Sequence, residues 1–557
     1  MKKITTLLIV LFISCNAFAQ FNYYWDNTFQ YTVTAGYSNE ARQIATDAAG
    51  NIFILADVRS DIDSANHPGP VQYYVVLRKY TPAGALTVQK IVNVRNMQVS
   101  NTFDYKSAFA LRIDGSGNVF IGYNFYNNSG ANYDVCVSKY NNALSSAWTS
   151  VYSTPANETG VDLTLRSGIP FLLFKSVSGA NTTYVVSKPT SSSSTPSALY
   201  SFDANLDVVN SITTTPTRNL YFTGSRLVSG AKVVMTASVN TTGGLKWKTL
   251  YNNSSVTGDD VGEKVIVGND GFVYVAGTSY VNASNNNDAL VLRFNSANGT
   301  QNARLVLNYP IGSASNNKGS AIIEGTGGAF FLATTRGNTD VVVYKLSGVN
   351  GVTATANANY LVTPLSFNSL TSLTISDIKV ASSNNVYVCG SLTATSATGN
   401  FSGSFLAKYG MSASVFSLLD NLDVNGDNTD NFQGVGIALD QSRNNIIRVS
   451  NYWLNYASHI KENIRIEDFS TGSLRLGSTN DAVGTIPMLF PNPASGSIQF
   501  SDVVVSEPVM VFDLSGKLIA NLMVKNNSLN ISGITSGVYI FKVITPEGQR
   551  TQKIQIQ

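Results

Sequence analysis

From about residue 40 onward the chain repeats one phrase, in which an apolar run, a short polar turn closing on Gly-Asn and a second apolar run follow one another. Leu111-Arg112-Ile113-Asp114-Gly115-Ser116-Gly117-Asn118-Val119-Phe120-Ile121-Gly122 states it in full, and Ile44 to Leu55 and Val267 to Ala276 restate it. Two apolar runs around such a turn predict a β-hairpin. The turns fall near Asn51, Asn118, Gly168, Asn219, Gly271, Gly328, Asn385 and Asn445, which predicts about eight units, seven being the alternative count. Self-similarity at a period of roughly 50–67 residues predicts a propeller or a solenoid.

The second run of each hairpin selects between them. Ile52-Phe53-Ile54-Leu55, Leu220-Tyr221-Phe222, Ala329-Phe330-Phe331-Leu332 and Val386-Tyr387-Val388-Cys389 are apolar at every position, not at alternate ones. A strand of that kind needs cover on both faces, as in a propeller blade lying between two other blades. A small residue commonly follows (Ala56, Gly224, Ala276, Ala333, Gly390, Ser450), as expected where sheets converge on an axis; Tyr123 and Phe174 with Lys175 depart from this. A third strand recurs as Val75 to Tyr80, Val135 to Tyr140, Leu290 to Phe294, Val341 to Leu346 and Phe405 to Tyr409. Asp134, Asp288 and Asp340 stand just ahead of it. They read as acceptors for backbone and turn hydrogen bonds rather than as a ring of catalytic carboxylates.

A fourth strand carries aromatics, as in Ala147 to Tyr152 and Lys246 to Tyr251. The segment around Trp25 fits that pattern yet precedes the first hairpin. It is expected as outermost strand of the last unit, closing the ring and removing an exposed edge, with Gly472 to Leu476 as competitor. Together the Asp-x-x-Gly-Asn hairpin, the Asp-apolar-x-Lys strand and the Trp strand resemble the short β-propeller repeats of secreted bacterial proteins, over about residues 21 to 476. The resemblance implies four-stranded blades and carries no activity.

Composition changes the picture in few places. Only 13% of the 557 residues are charged and the net charge is +3, so nothing points to a nucleic-acid partner. Lys2 and Lys3, the apolar run Leu7 to Ile13 and Ala17-Phe18-Ala19 predict a signal peptide over 1–19; lipoprotein processing at Cys15 is the rival. No other run is long and apolar enough to span a membrane as a helix. Cys136 and Cys389 fall in different units and read as separate core thiols.

Near residue 477 the text changes. A Gly/Ser/Thr/Asn-rich stretch, assigned as a linker over 477–486, leads into Phe490-Pro491-Asn492-Pro493. Short strands at Ile498 to Phe500, Val509 to Phe512, Val538 to Val543 and Gln552 to Ile556 predict a small all-β sandwich over 487–557. Its Pro491-Asn492-Pro493, Asp513-Leu514-Ser515-Gly516-Lys517, Leu529 to Ile534, Ser536-Gly537-Val538-Tyr539 and Lys553-Ile554 resemble the type A sorting domain of the type IX secretion system. That resemblance implies handling by the type IX machinery, export across the outer membrane, and release or surface attachment. The fold class is therefore all-β: a propeller over 20–476 followed by a sandwich.

Candidate chemistry is sparse. The chain has two histidines, His67 in a loop and His459 ahead of a strand of the last unit, too few for a histidine metal site or a nucleophile–base pair with support. Asp423, Asn425 and Asp427 follow the alternate spacing of a Ca²⁺ loop, but Asn428 stands where the turn glycine belongs and no closing Glu follows. A polar connecting loop aligned with Gly258 to Glu263 is the preferred reading, so no cofactor is expected, Ca²⁺ excepted. Asp63-Ser64-Ala65 resembles a short O-glycosylation site. The expected function is a non-catalytic, exported propeller binding a protein or glycan through its loops, Tyr123 to Asn128 among them. A glycosidase-like hydrolase with carboxylates from several blades and a structural surface component are the alternatives.

Overall fold

The structure is a computed structural model. It describes residues 23–29, 37–60, 71–97, 107–127, 130, 132–191, 196–215, 219–253, 258–282, 286–307, 317–336, 340–347, 353–355, 370–382, 384–396, 399–409, 414–415, 431–441, 443, 445–456, 459–470, 489–490, 494–500, 509–513, 518–525, 528–545 and 548–557. The chain divides into two compact units, Met1–Leu474 and Arg475–Gln557.

The first unit is a ring of eight antiparallel four-stranded blades. Blade 1 is Tyr37–Thr46, Ile52–Ser60, Val71–Tyr80 and Leu86–Met97; blade 2 is Ala108–Ile113, Val119–Asn127, Asn132–Tyr140 and Ser146–Tyr152. Blade 3 runs Asn157–Arg166, Ile169–Ser178, Asn181–Ser187 and Ala198–Ser201, and blade 4 Asp207–Thr214, Leu220–Val228, Ala231–Val239 and Leu245–Tyr251. Blade 5 is Val261–Val267, Phe272–Asn282, Asn286–Asn295 and Gln301–Leu307. Blade 6 follows with Asn317–Glu324, Phe330–Arg336, Asp340–Ser347 and Thr353–Thr355, and blade 7 with Leu370–Val380, Val386–Ser396, Gly399–Tyr409 and Ser414–Val415. Blade 8 has Asn431–Asp440, Asn445–Tyr456 and His459–Ser470. Its fourth strand is Tyr23–Phe29, paired antiparallel with Trp25 opposite Asp468. The expected closure by the Trp25 segment is thus observed. Gly472 to Leu476 lie outside the described residues.

The first strand of each blade is innermost, because each touches the first strands of both neighbouring blades all the way round. The second strands show why their sequences do not alternate. Phe53 and Leu55 pack with Leu111 and Ile121 of blade 2, whereas Ile52 and Ile54 pack with Ile447 and Val449 of blade 8. The same division recurs in blade 6, with Phe331 and Ala333 on one face and Phe330 and Leu332 on the other. The period of two survives, but both faces are dry. Each fully buried side chain of this size contributes about 1.5–3 kcal/mol.

Every innermost strand carries one bulge at the equivalent place, with Arg42, Phe109, Val161, Asn210, Glu263, Ser320, Ser376 and Val435 as the extra residues. A bulge bends and twists the strand, which fits eight strands around one axis. Opposite the residue before each bulge stand Ala56, Gly224, Gly277, Gly390 and Ser450, with Thr334 in blade 6. The small position in blades 5 and 6 is therefore one residue beyond the expected Ala276 and Ala333. Tyr123 and Phe174 occupy it in blades 2 and 3, as their departure in the sequence implied. At Gly390 a Cβ would fall on the carbonyl oxygen of Thr374, so the close approach of two backbones requires glycine there.

The second unit is a sandwich of a three-stranded sheet (Leu489–Phe490, Ser497–Phe500, Ser528–Asn530) and a four-stranded one (Leu518–Leu522, Val509–Phe512, Gly537–Thr545, Gly548–Ile556). Ile498, Val509, Val511, Leu529, Phe541 and Ile554 fill its core. Leu518–Leu522 and Ser528–Asn530 were not among the strands expected from the sequence, both being short. Among the described residues of the chain no helix is long and apolar enough to cross a membrane.

Candidate binding face

The two ends of the ring differ in how their turns are built. One end holds the turns from first to second and from third to fourth strand; most span five residues or fewer, 188–197 of blade 3 being longer, and those described in blades 1 and 2 are internally bonded. In blade 2 the Asp114 carboxylate accepts from the amides of Ser116 and Asn118, each 2.9 Å, and from the Asn118 side chain at 2.9 Å. Gly117 turns there with φ 77°. Asp47 repeats the arrangement with Ala49 and Asn51 and also accepts from Asn142 of blade 2 at 2.9 Å. The Asp-x-x-Gly-Asn phrase is therefore an Asx-capped turn. It consumes its carboxylate and leaves none over for chemistry.

The other end holds the second-to-third and blade-to-blade connections. Their lengths run from two residues at 179–180 and 229–230 to the stretches 61–70, 308–316, 356–369 and 416–430. The longest connections in the sequence thus join strand ends at this end. At the blade 4 edge of that end, Leu206, Val208 and Leu227 are 37–43% exposed. The Leu227 amide donates to the Leu206 carbonyl at 2.8 Å, and Val208 lies two residues along the same strand edge, which places the three on one sheet face. Single exposed aliphatics are ordinary, but three adjoining ones make a patch. The neighbouring Asp207 is buried and ion-paired with Arg226 at 2.9 Å and Lys248 at 2.5 Å.

The aromatic stretch Tyr123 to Asn128, expected as a loop, is strand as far as Asn127, its first residues buried and Phe125 and Tyr126 half-buried. Tyr123 is buried, with its hydroxyl 3.3 Å from Ser138, and Tyr126 meets Tyr133 edge-to-face at 5.0 Å. The fourth-strand tryptophans also pack: Trp148 lies edge-on to Phe120, and Trp247 stacks on Phe294 of blade 5 and donates to the Ser296 carbonyl at 3.1 Å.

Charges on the innermost strands pair with one another. Asp162 of blade 3 binds Arg112 of blade 2 at 2.6 Å and Lys264 of blade 5 at 3.5 Å. A pair that skips blade 4 runs across the axial side of that blade. Burial opposes ionisation of Asp162, but Lys264, Arg112 and the amides of Leu163 and Ile212 outweigh it and hold the carboxyl below its usual range. Asp377 repeats the interblade bond, accepting from the Ile437 amide at 3.3 Å and from Lys379. Arg42 bridges Glu40 and Asp57, and Lys318 meets Glu263 at 3.2 Å.

Two carboxylates from different blades do come together. Glu158 of blade 3 and Asp134 of blade 2 are both buried. Burial, with the Asp134 charge beside it, raises the Glu158 carboxyl to about 7. That is the pKa of a general acid, but Glu158 is fully buried, so a glycosidic oxygen has no access to it.

Asp134, Asp288 and Asp340 are buried at the starts of their third strands. Asp134 accepts from Asn127 at 3.1 Å and Asn132 at 3.3 Å, and Asp340 pairs with Arg336, each within its own blade. His459 is the first residue of its strand, not a residue ahead of it. His67, Asp63 to Ala65 and the Ca²⁺ candidates Asp423, Asn425 and Asp427 lie outside the described residues. In the aligned connection of blade 5, Asp259 pairs with Lys232 and Asp260 accepts backbone amides. Cys136 and Cys389 are buried and form no disulfide. Among the described residues no three His, Cys, Asp or Glu side chains form a metal cluster.

Residues 488–557 match the family described as the secretion system C-terminal sorting domain. The chain accordingly carries a type IX sorting domain and is directed to the cell surface or extracellular space. Among curated proteins none matches the chain. Similar solved structures include PorZ, an essential surface component of the type IX secretion system of Porphyromonas gingivalis, at 12% identity over 93% of this chain and 70% of that one, TM-score 0.37. The β-propeller domain of the Trilobed protease from Pyrococcus furiosus follows at 10% identity over 70% and 99%, TM-score 0.36. An ulvan lyase shares 11% identity over 77% and 94%, TM-score 0.39. Similarity this low says nothing about activity.

Proposed function

We infer that the exported propeller is a non-catalytic binding module that recognises an extracellular protein through its variable end. The observation that carries this is the aliphatic patch of Leu206, Val208 and Leu227 at that end. Aliphatic area suits a protein partner, whereas a sugar site calls for exposed aromatic faces, and the aromatics of the blade 2 strand Val119–Asn127 are buried or half-buried. The paired axial charges and the inaccessible acid pair weigh against the hydrolase reading.

The full chain is to be tested for binding to purified extracellular proteins, on a glycan array and against a hydrolase substrate panel. Saturable binding to a protein, weakened at least about tenfold by Leu227→Asp, is expected; one central aliphatic contact is worth about 1–2 kcal/mol or more. A glycan hit unaffected by Leu227→Asp would establish the glycan reading instead. Turnover without stoichiometric binding would establish the hydrolase, and a surface component would show neither.

A further inference from the structure

The residue three before the bulge is acidic in three consecutive blades: Glu158, Asp207 and Asp260. All three are buried. In blade 4, Asp207 is neutralised by Arg226 and Lys248 and also accepts the Asp203 amide at 3.1 Å. In blade 5, both oxygens of Asp260 are satisfied by backbone amides, from Asn253 at 2.8 Å and Tyr280 at 3.0 Å. Glu158 in blade 3 has neither solution. Its Oε1 accepts from the hydroxyls of Thr154 and, at 3.3 Å, Ser176, while its Oε2 is buried without a partner.

What faces Glu158 is more oxygen. Asp134 lies beside it, held by two long side-chain bonds. Asn132, nearly fully buried, has its Nδ2 2.6 Å from the carbonyl oxygens of both Thr154 and Ala156 and 3.3 Å from Asp134 Oδ1. Its Oδ1 is a second buried oxygen with no partner. An amide nitrogen ringed by three oxygens, with two orphan acceptors adjoining, marks a place of strongly negative potential, and no cationic side chain among the described residues is ion-paired with either carboxylate.

We propose that this junction of blades 2 and 3 is a Ca²⁺ site, with the Glu158 and Asp134 carboxylates as its charged ligands. The Thr154 and Ala156 carbonyls and Asn132 Oδ1, presented by turning the amide over, complete an all-oxygen shell. Two carboxylates balance a divalent charge. A mixed set of carboxylate, amide and carbonyl oxygens without nitrogen or sulfur suits Ca²⁺ rather than Zn²⁺, and a buried shell that supplies its own donors suits it better than Mg²⁺, which keeps its water. This places the ion away from the 423–427 stretch and on the end of the ring that carries the variable connections.

The test is calorimetric titration and thermal melting of the full, chelator-treated chain with Ca²⁺ and with Mg²⁺. Stoichiometric heat with Ca²⁺ and a melting rise of about 2–5 °C at saturating ion are expected. Glu158→Gln should abolish both while leaving the metal-free melting temperature unchanged or raised, because it removes a buried charge without changing shape. Asp427→Asn should leave both intact. No heat at millimolar Ca²⁺, or a response that survives Glu158→Gln and disappears in Asp427→Asn, would overturn the proposal. So would a metal-free chain whose melting is insensitive to Ca²⁺ but rises on acidification, which means the pair holds a proton instead.

Discussion

The Asp114 carboxylate accounts at the residue scale for the phrase that fills the sequence: three short bonds to its own turn make Asp, Gly and Asn necessary at those spacings. All its partners lie within four residues, so the phrase is legible in one dimension. Asp162 is the opposite case, since Arg112, Lys264 and the Ile212 amide come from three other blades. Its lowered pKa makes a definite prediction. A carboxyl whose folded value lies below its unfolded 3.8 contributes stability that is complete above 3.8 and lost as pH falls through the folded value. Asp162→Asn should cost about 1 kcal/mol at neutral pH by leaving without a counter-charge two cations that are themselves a third or more exposed. The deficit should shrink below pH ~4, where wild-type Asp162 is protonated too. Urea unfolding at pH 7 and pH 3 measures it, and an equal loss at both would show that the ion pairs contribute nothing.

The innermost strand, with its bulge in all eight blades, governs packing at the scale of elements. Adjoining backbones come so close that a side chain has no room at several second-strand positions. Gly390→Ala places a methyl on the Thr374 carbonyl and should cost about 1–3 kcal/mol as an overpacked contact. Gly115→Ala, in a turn with nothing within 4 Å, should change stability by less than about 0.5 kcal/mol. Denaturation midpoints of the two variants compare them directly, and equal midpoints would refute the close-approach account. A small residue near this place was readable from the sequence, but in blades 5 and 6 its register was not. A run such as Val275-Ala276-Gly277 offers two small residues, and only the strand pairing, Gly262 opposite Gly277, selects one.

Closure of the ring is a property of the whole molecule. Tyr23–Phe29 completes blade 8 from the opposite end of the propeller segment, pairing with His459–Ser470. A chain lacking residues 23–29 should melt lower and, with the edge of His459–Ser470 uncovered, self-associate. Calorimetry and light scattering report both, and a monomer with unchanged melting would mean that the closing strand is dispensable.

The repeating hairpin, the dry second strands and the sorting domain were set by the sequence alone, because each rests on contacts between residues a few positions apart or on a repeated pattern; the choice of eight blades over seven came with the strand pairing. The tertiary structure decided everything that depends on which copies adjoin. It gave the third-strand aspartates Asp134 and Asp340 their side-chain partners, paired the axial charges and joined the longest connections to strand ends at one end. It also left Glu158 alone without the partners that its counterparts in blades 4 and 5 possess. Along the chain Glu158 differs from Asp207 and Asp260 by a single methylene. What separates it is the company the fold provides: Asp207 meets two cations of its own blade and Asp260 two backbone amides, whereas Glu158 has hydroxyls on one oxygen and the Asp134 charge of blade 2 acting on it.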